Sequence, residues 1–124
     1  MRAGKDFALL TTGNMLEQGK RWVESWIGDG YDPEFASIHT VKPLDLEYIE
    51  KLAARGNTIV TLEEHNVIGG LGSAVSEAVS TTRTPCRVLR IGIPDVFSHY
   101  VGSQMELRRH YGLFEQPNLQ ELIG

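Results

Sequence analysis

Glu63, Glu64 and His65 stand in a row directly after the apolar run Ile59-Val60-Thr61-Leu62, and Gly69, Gly70 and Gly72 follow closely. Two carboxylates beside an imidazole are residue types that serve as general acid, general base or metal ligand. Adjacent side chains at a strand end point to opposite sides, so at most one carboxylate shares a crevice with His65. A metal site needs more ligands, and His39, His99 and His110 are expected elsewhere on the surface. Catalysis needs converging groups, so a free-standing enzyme would have to work with Glu64 and His65 alone. The plainer alternatives are a solvated strand end or one side of an interface.

The glycines suggest phosphate chemistry. Gly70-Leu71-Gly72 opens like a dinucleotide fingerprint, but Val75 occupies the position that needs a third small residue. No acidic residue closes a following strand to hold a ribose, so the separate steric tasks of that motif are left undone. Glycines here let a helix start tightly and pack close to a sheet. Free N–H groups at such a start suit a phosphate or carboxylate, although Glu63 and Glu64 would oppose an external anion. Gly28-Asp29-Gly30 with Asn57 matches the spacing by which thiamine diphosphate enzymes hold magnesium and the cofactor diphosphate. In those enzymes the glycines follow a strand and begin a helix; here they end one, and Asn57 precedes a strand, so the ligands do not converge.

These residues need a frame, and hydrophobic periodicity supplies it. Phe7-Ala8-Leu9-Leu10-Thr11 and Ile59-Val60-Thr61-Leu62 are short continuous apolar runs of the kind buried on both sheet faces. Phe35 to Val41, around His39, and Cys86 to Ile91 suit two further strands. Between them lie helical stripes. Met15, Gly19, Trp22 and Trp26 recur at helical spacing with Leu16, Val23 and Ile27 beside them, after a capping-box pair of Asn14 and Glu17. Leu46, Ile49, Leu52 and Ala53 form the next stripe, capped by Asp45 and ended by Gly56. Leu71, Ala74, Val75, Ala78 and Val79 form the third. Ser103 with Glu106, and Asn118 with Glu121, start two short C-terminal helical segments.

The alternation predicts an α/β fold, a three-layer α/β/α sandwich with a mainly parallel sheet. A flavodoxin-like strand order places the strand at Ile59 beside the one at Phe7. The loops at that reversal, Thr11 to Asn14 and Glu63 to Gly70, then form a crevice at the place where ligands or partners meet such sheets. Its candidate residues are Thr12, Gly13, Asn14, Glu63, Glu64, His65, Gly69 and Gly70.

A length of 124 residues makes one domain, spanning 1–124, and a net charge of −4 gives no footprint for nucleic acid. No apolar run reaches membrane-spanning length, and the N-terminus lacks a signal-peptide core, so a cytoplasmic protein without membrane contact is expected. Cys86, the one cysteine, sits in an apolar run as a buried, inert thiol.

Several segments, in order and correctly spaced, resemble the C-terminal domain of the transketolase family. They are Thr11-Thr12-Gly13, Lys42-Pro43-Leu44-Asp45, Ile59 to His65, Gly69 to Val75, Ile91 to Phe97, and Tyr111-Gly112-Leu113. The Glu-Glu-His turn looks most like C-terminal sections of bacterial or archaeal transketolases, including those split over two polypeptides. Deoxyxylulose-phosphate synthases and the beta subunits of 2-oxo acid dehydrogenases share the domain. The resemblance implies a thiamine diphosphate and magnesium enzyme that transfers a two-carbon ketol unit between sugar phosphates. It also implies that the cofactor lies between two preceding domains, while the third supports the subunit and its dimer. No catalytic, cofactor or metal residue is therefore carried onto this chain; its partners are the thiamine diphosphate-binding domains or subunit. Family members usually have an antiparallel edge strand before the segment matching Lys5-Asp6-Phe7. With only Met1 to Gly4 preceding it here, the strand at Phe35 to Val41 is expected to be an exposed edge, free to pair with another chain.

Overall fold

The computed structural model describes residues 2–39, 44–64, 70–82, 84 and 86–93. Among the described residues four strands and three α-helices alternate: β1 (Phe7–Thr12), α1 (Leu16–Gly28), β2 (Pro33–Ile38), α2 (Leu46–Ala54), β3 (Ile59–Glu64), α3 (Leu71–Ser80) and β4 (Val88–Ile93). Every pairing is parallel and the order is β2-β1-β3-β4, so β1 and β3 are neighbours at the reversal. This is the flavodoxin-like arrangement expected from the alternation.

The pleat sorts the strands into two cores. Phe7, Leu9, Phe35, Val60 and Leu62 face α1, where Met15, Trp22, Val23 and Trp26 complete one cluster. Ala8, Leu10, Ala36 and Ile59 face α2 and α3, meeting Ile49, Leu52, Leu71, Val75, Ala78 and Val79. One helix on one face and two on the other make the three layers. Gly19 sets how closely α1 lies on the sheet: a Cβ there would stand 2.7 Å from Thr11 Cγ2 and 2.9 Å from a Phe35 ring carbon.

Several boundaries differ from the sequence expectation, each for a local reason. The capping pair Asn14 and Glu17 does not start α1. A single 3-10 turn at Gly13–Met15 comes first, which moves the cap to Met15 with no side-chain bond. Asp45 does cap α2, its carboxylate accepting from Tyr48 N at 3.2 Å, and Gly56 ends that helix at φ 71°. Leu46, at the first position of α2, is 58 % exposed because the stripe reaches the sheet only from Ile49 onward. Ala74 is half-buried, whereas Gly72 takes a buried place in α3. β2 begins two residues early at Pro33 and ends at Ile38, leaving His39 exposed. β4 starts at Val88, so the half-buried Cys86 precedes it; burial pushes its thiol pKa up. The segments expected to be helical from Ser103 and from Asn118 lie outside the described residues.

The outer edge of β2 is not free as expected. Arg2 forms an antiparallel bridge to Phe35, N to O at 2.8 Å in both directions, and its guanidinium reaches Pro33 O at 2.7 Å. The chain's own N-terminal segment therefore covers this edge at Phe35.

Candidate functional site

β1 and β3 end close to one another. Thr11 pairs with Leu62, and the Gly13–Met15 turn packs against β3, so the end of β1 lies beside the end of β3. Thr12 is half-buried at the end of β1, and Gly13 is exposed with open space where a side chain would project. Asn14 lies within the turn. Gly70 is buried and caps α3. His65 and Gly69 fall outside the described residues.

Glu63 and Glu64 do not form a turn. β3 runs through both of them, paired with Gly92 and Ile93 of β4. What lets an acidic residue stay in a buried strand is a partner that arrives from the next helix. Glu63 is 7 % exposed, and its Oε1 accepts from Leu71 N at 2.9 Å while Oε2 accepts from Gly72 N at 2.6 Å. The first N–H groups of a helix have no partner within it, and they carry the positive end of the helix dipole. A strand carboxylate placed there satisfies two of them and is itself stabilised. The anion suited to this helix start is thus supplied by the chain.

Glycine at position 72 is part of the same device. A Cβ there would lie 2.5 Å from Arg90 Nε and 2.9 Å from Glu63 Oε2. Arg90, beside Thr61 on β4, also donates from Nη2 to Ser73 Oγ at 2.9 Å. Glu63, the α3 start and Arg90 are therefore packed together. Sequence spacing pointed to the glycines but missed Arg90.

A second polar cluster, invisible in the sequence reading, lies at the opposite end of the sheet. Glu34 of β2 is 7 % exposed and accepts from Tyr48 OH at 2.5 Å and Arg55 Nη2 at 2.9 Å. Burial would raise the Glu34 pKa, but the bonds from Tyr48 and Arg55, the Arg55 charge and the Gly4 N–H together hold it below its ordinary 4.5. Burial first, and Glu34 second, push the Tyr48 hydroxyl upward. Asp32 is likewise lowered, chiefly by its bond from Arg2.

A depressed carboxylate pKa contributes stability that is fully present above the unfolded-state value and lost as pH falls through the folded-state value. Stability is therefore expected to decline as pH falls below about 4.5, and to decline less steeply in Glu34→Gln. Denaturant midpoints between pH 6 and pH 3 check this; parallel curves for the two proteins would contradict it.

Asp29, Asn57 and the α3 start, the positions considered for a diphosphate or magnesium, are each placed by the fold. Asp29 is exposed at the C-terminal end of α1, where backbone carbonyls would repel a diphosphate. Asn57 is 8 % exposed ahead of β3, and the open helix N–H groups at Leu71 and Gly72 are taken by Glu63. Among the described residues, no group of three or more His, Cys, Asp and Glu could hold a metal ion. None of the described helices is long and apolar enough to cross a membrane.

Comparison with known proteins agrees with this frame. The family described as transketolase, C-terminal domain, matches residues 1–116. A 1-deoxy-D-xylulose-5-phosphate synthase from Chlorobium phaeovibrioides is 40 % identical, over 99 % of this chain and 19 % of its own length. A Methanocaldococcus jannaschii protein named for a transketolase C-terminal section is 37 % identical, over 89 % of this chain and 34 % of its own. A solved split-gene transketolase, an inactive beta4 tetramer, superposes with a TM-score of 0.72 at 33 % identity, over 90 % of this chain and 35 % of that one. The chain thus spans about a fifth to a third of these relatives.

Proposed function

Because the chain belongs to the transketolase C-terminal domain family, we propose that it is the non-catalytic supporting portion of a thiamine diphosphate-dependent, transketolase-type transferase. The parent enzyme moves a two-carbon ketol unit between sugar phosphates in the cytoplasm, with cofactor and magnesium held by other domains or by a separate subunit. The deoxyxylulose-phosphate synthase and 2-oxo acid dehydrogenase branches are the nearest variants of this reading. The domain meets its thiamine diphosphate-binding partner at the crevice formed by Thr12 to Asn14 and Glu63 to Gly70, and supports a homodimer in the full assembly. It contacts neither nucleic acid nor membrane.

One observation carries the non-catalytic part of this reading. The helix start best suited to a phosphate is filled by the buried Glu63 carboxylate, bonded to Leu71 N and Gly72 N. A docking module for an anionic ligand at Gly69 to Gly72 would have to displace that carboxylate first. The solved relative, inactive by its own name, is in keeping with a portion that does no chemistry alone.

Calorimetric titration of the purified chain with thiamine diphosphate and magnesium is expected to give no saturable heat, and the chain no ketol transfer. Saturable cofactor binding would overturn the proposal. Saturable binding of inorganic phosphate, abolished by filling the crevice at Gly70, would favour the anion-binding module instead.

A further inference from the structure

The N-terminal segment 2–6 crosses the outer edge of β2 as a strap. Its own backbone makes one bridge to Phe35, with a second contact where Lys5 N and Asp6 N both donate to Asp32 O at 3.0 Å. Asp6 Oδ2 accepts from Asp32 N at 2.6 Å, and the Arg2 guanidinium meets Asp32 Oδ1 at 2.6 Å. Gly4 makes the close approach possible. A Cβ there would collide with the backbone of Asp32 and Pro33.

Ordering a run of residues loses backbone entropy at each one, and a few hydrogen bonds exchanged with water do not offset that by themselves. The Arg2–Asp32 pair is more than a third exposed on both sides, and such pairs contribute little. The strap's remaining fixing is of another kind. Arg55, at the C-cap of α2, donates from Nη1 to Gly4 O at 3.1 Å and from Nη2 to Glu34 Oε1 at 2.9 Å. The same Glu34 oxygen lies 3.5 Å from Gly4 N, while its other oxygen accepts from Tyr48 OH at 2.5 Å. Glu34 is held at 10 % side-chain exposure, so this contact is shielded where the Arg2 pair is not.

We propose that Glu34 and Arg55 form a clasp that fastens the N-terminal strap to the end of α2, so that the strap docks on the β2 edge only while α2 is seated. The clasp makes the strap a conformational element coupled to a helix. When the clasp opens, Phe35 loses the pair of backbone bonds that closes the sheet edge.

Amide hydrogen exchange on the full 124-residue chain tests this, with Phe35 reporting the strap and Leu10 the buried centre of the sheet. In Glu34→Ala and Arg55→Ala, Phe35 is expected to exchange roughly tenfold faster or more relative to Leu10, the mark of local opening. Arg55 is half-exposed, so its variant folds even if the Glu34 variant does not. Glu34→Gln keeps one acceptor oxygen for Arg55 and turns its amide N–H toward the Tyr48 oxygen, which can accept, and is expected to recover most of the protection. Lys20→Ala, which removes only an exposed ion pair with Glu17 on α1, is expected to leave the Phe35-to-Leu10 ratio unchanged. An unchanged ratio in folded Arg55→Ala would overturn the clasp. So would an equal rise in Lys20→Ala, since a surface change remote from the clasp would then suffice.

Discussion

Replacing Trp26 with alanine is expected to lower the unfolding free energy by about 3–5 kcal/mol. A domain of this kind has roughly 5–15 kcal/mol in total, so the loss removes a large fraction of its stability. Trp26 is 1 % exposed in the core under α1, edge-on to Phe7 with ring centroids 5.0 Å apart and beside Trp22 at 6.1 Å. Alanine would leave a void beside β1 that the surrounding helix and sheet cannot close without moving. The indole carries a second, opposing feature: its Nε1 is buried with no hydrogen-bond partner among the described residues. Phenylalanine keeps most of the ring while removing that unpaired donor, so Trp26→Phe is expected to cost about 1.5 kcal/mol or less. Urea midpoints at constant slope measure both. Equal losses in the two variants would show that the indole N–H does have a partner.

Glu63→Ala is expected to cost about 2–4 kcal/mol, because it strips the acceptor from two buried helix N–H groups at once. The groups left behind are Leu71 N and Gly72 N, now bonded at 2.9 and 2.6 Å. Glu63→Gln keeps one acceptor oxygen but turns an amide N–H toward the other donor, and is expected to lose about half as much. Small carboxylates should restore part of the stability of Glu63→Ala, since acetate fits the space vacated by the side chain. The test is a urea midpoint measured with acetate and with chloride at equal ionic strength. If Glu63→Ala unfolds at the wild-type midpoint, the cap contributes nothing and the corner is held by packing alone.

The frame was legible in the sequence because its signals are local. Phe7 to Thr11 and Ile59 to Leu62 read as buried strands, and Trp22 and Trp26 fall on one helical stripe, whatever surrounds them. The site was less legible because its partners are brought together by the fold. Glu63 looked like a strand end in water, since nothing in Leu62-Glu63-Glu64 shows that the N–H groups of Leu71 and Gly72 will arrive beside it. Gly72 was read as a helix opener, whereas its stricter task is to leave room for Glu63 and Arg90. The clasp was wholly hidden. Glu34, Tyr48, Arg55 and Gly4 are far apart in sequence and belong to no shared pattern. The open-edge expectation failed for a related reason: four residues seemed too few to cover a strand, but Arg2 needs only one bridge and its guanidinium to do so at Phe35.

The strand order also has a consequence in time. Of the four described strands β1 comes first along the chain yet lies inside the sheet, with Phe7 waiting for Pro33 on one edge and Ala8 for Ile59 on the other. As the chain emerges during synthesis, one side of β1 stays without its partner until α1, β2 and α2 have been produced and β3 follows. Pairings over such separations are slow to form, and an unpaired apolar strand is where mispairing begins. Phe7 to Leu10, with no exposed surface in the folded chain, is among the four strands the segment that waits longest for its second neighbour.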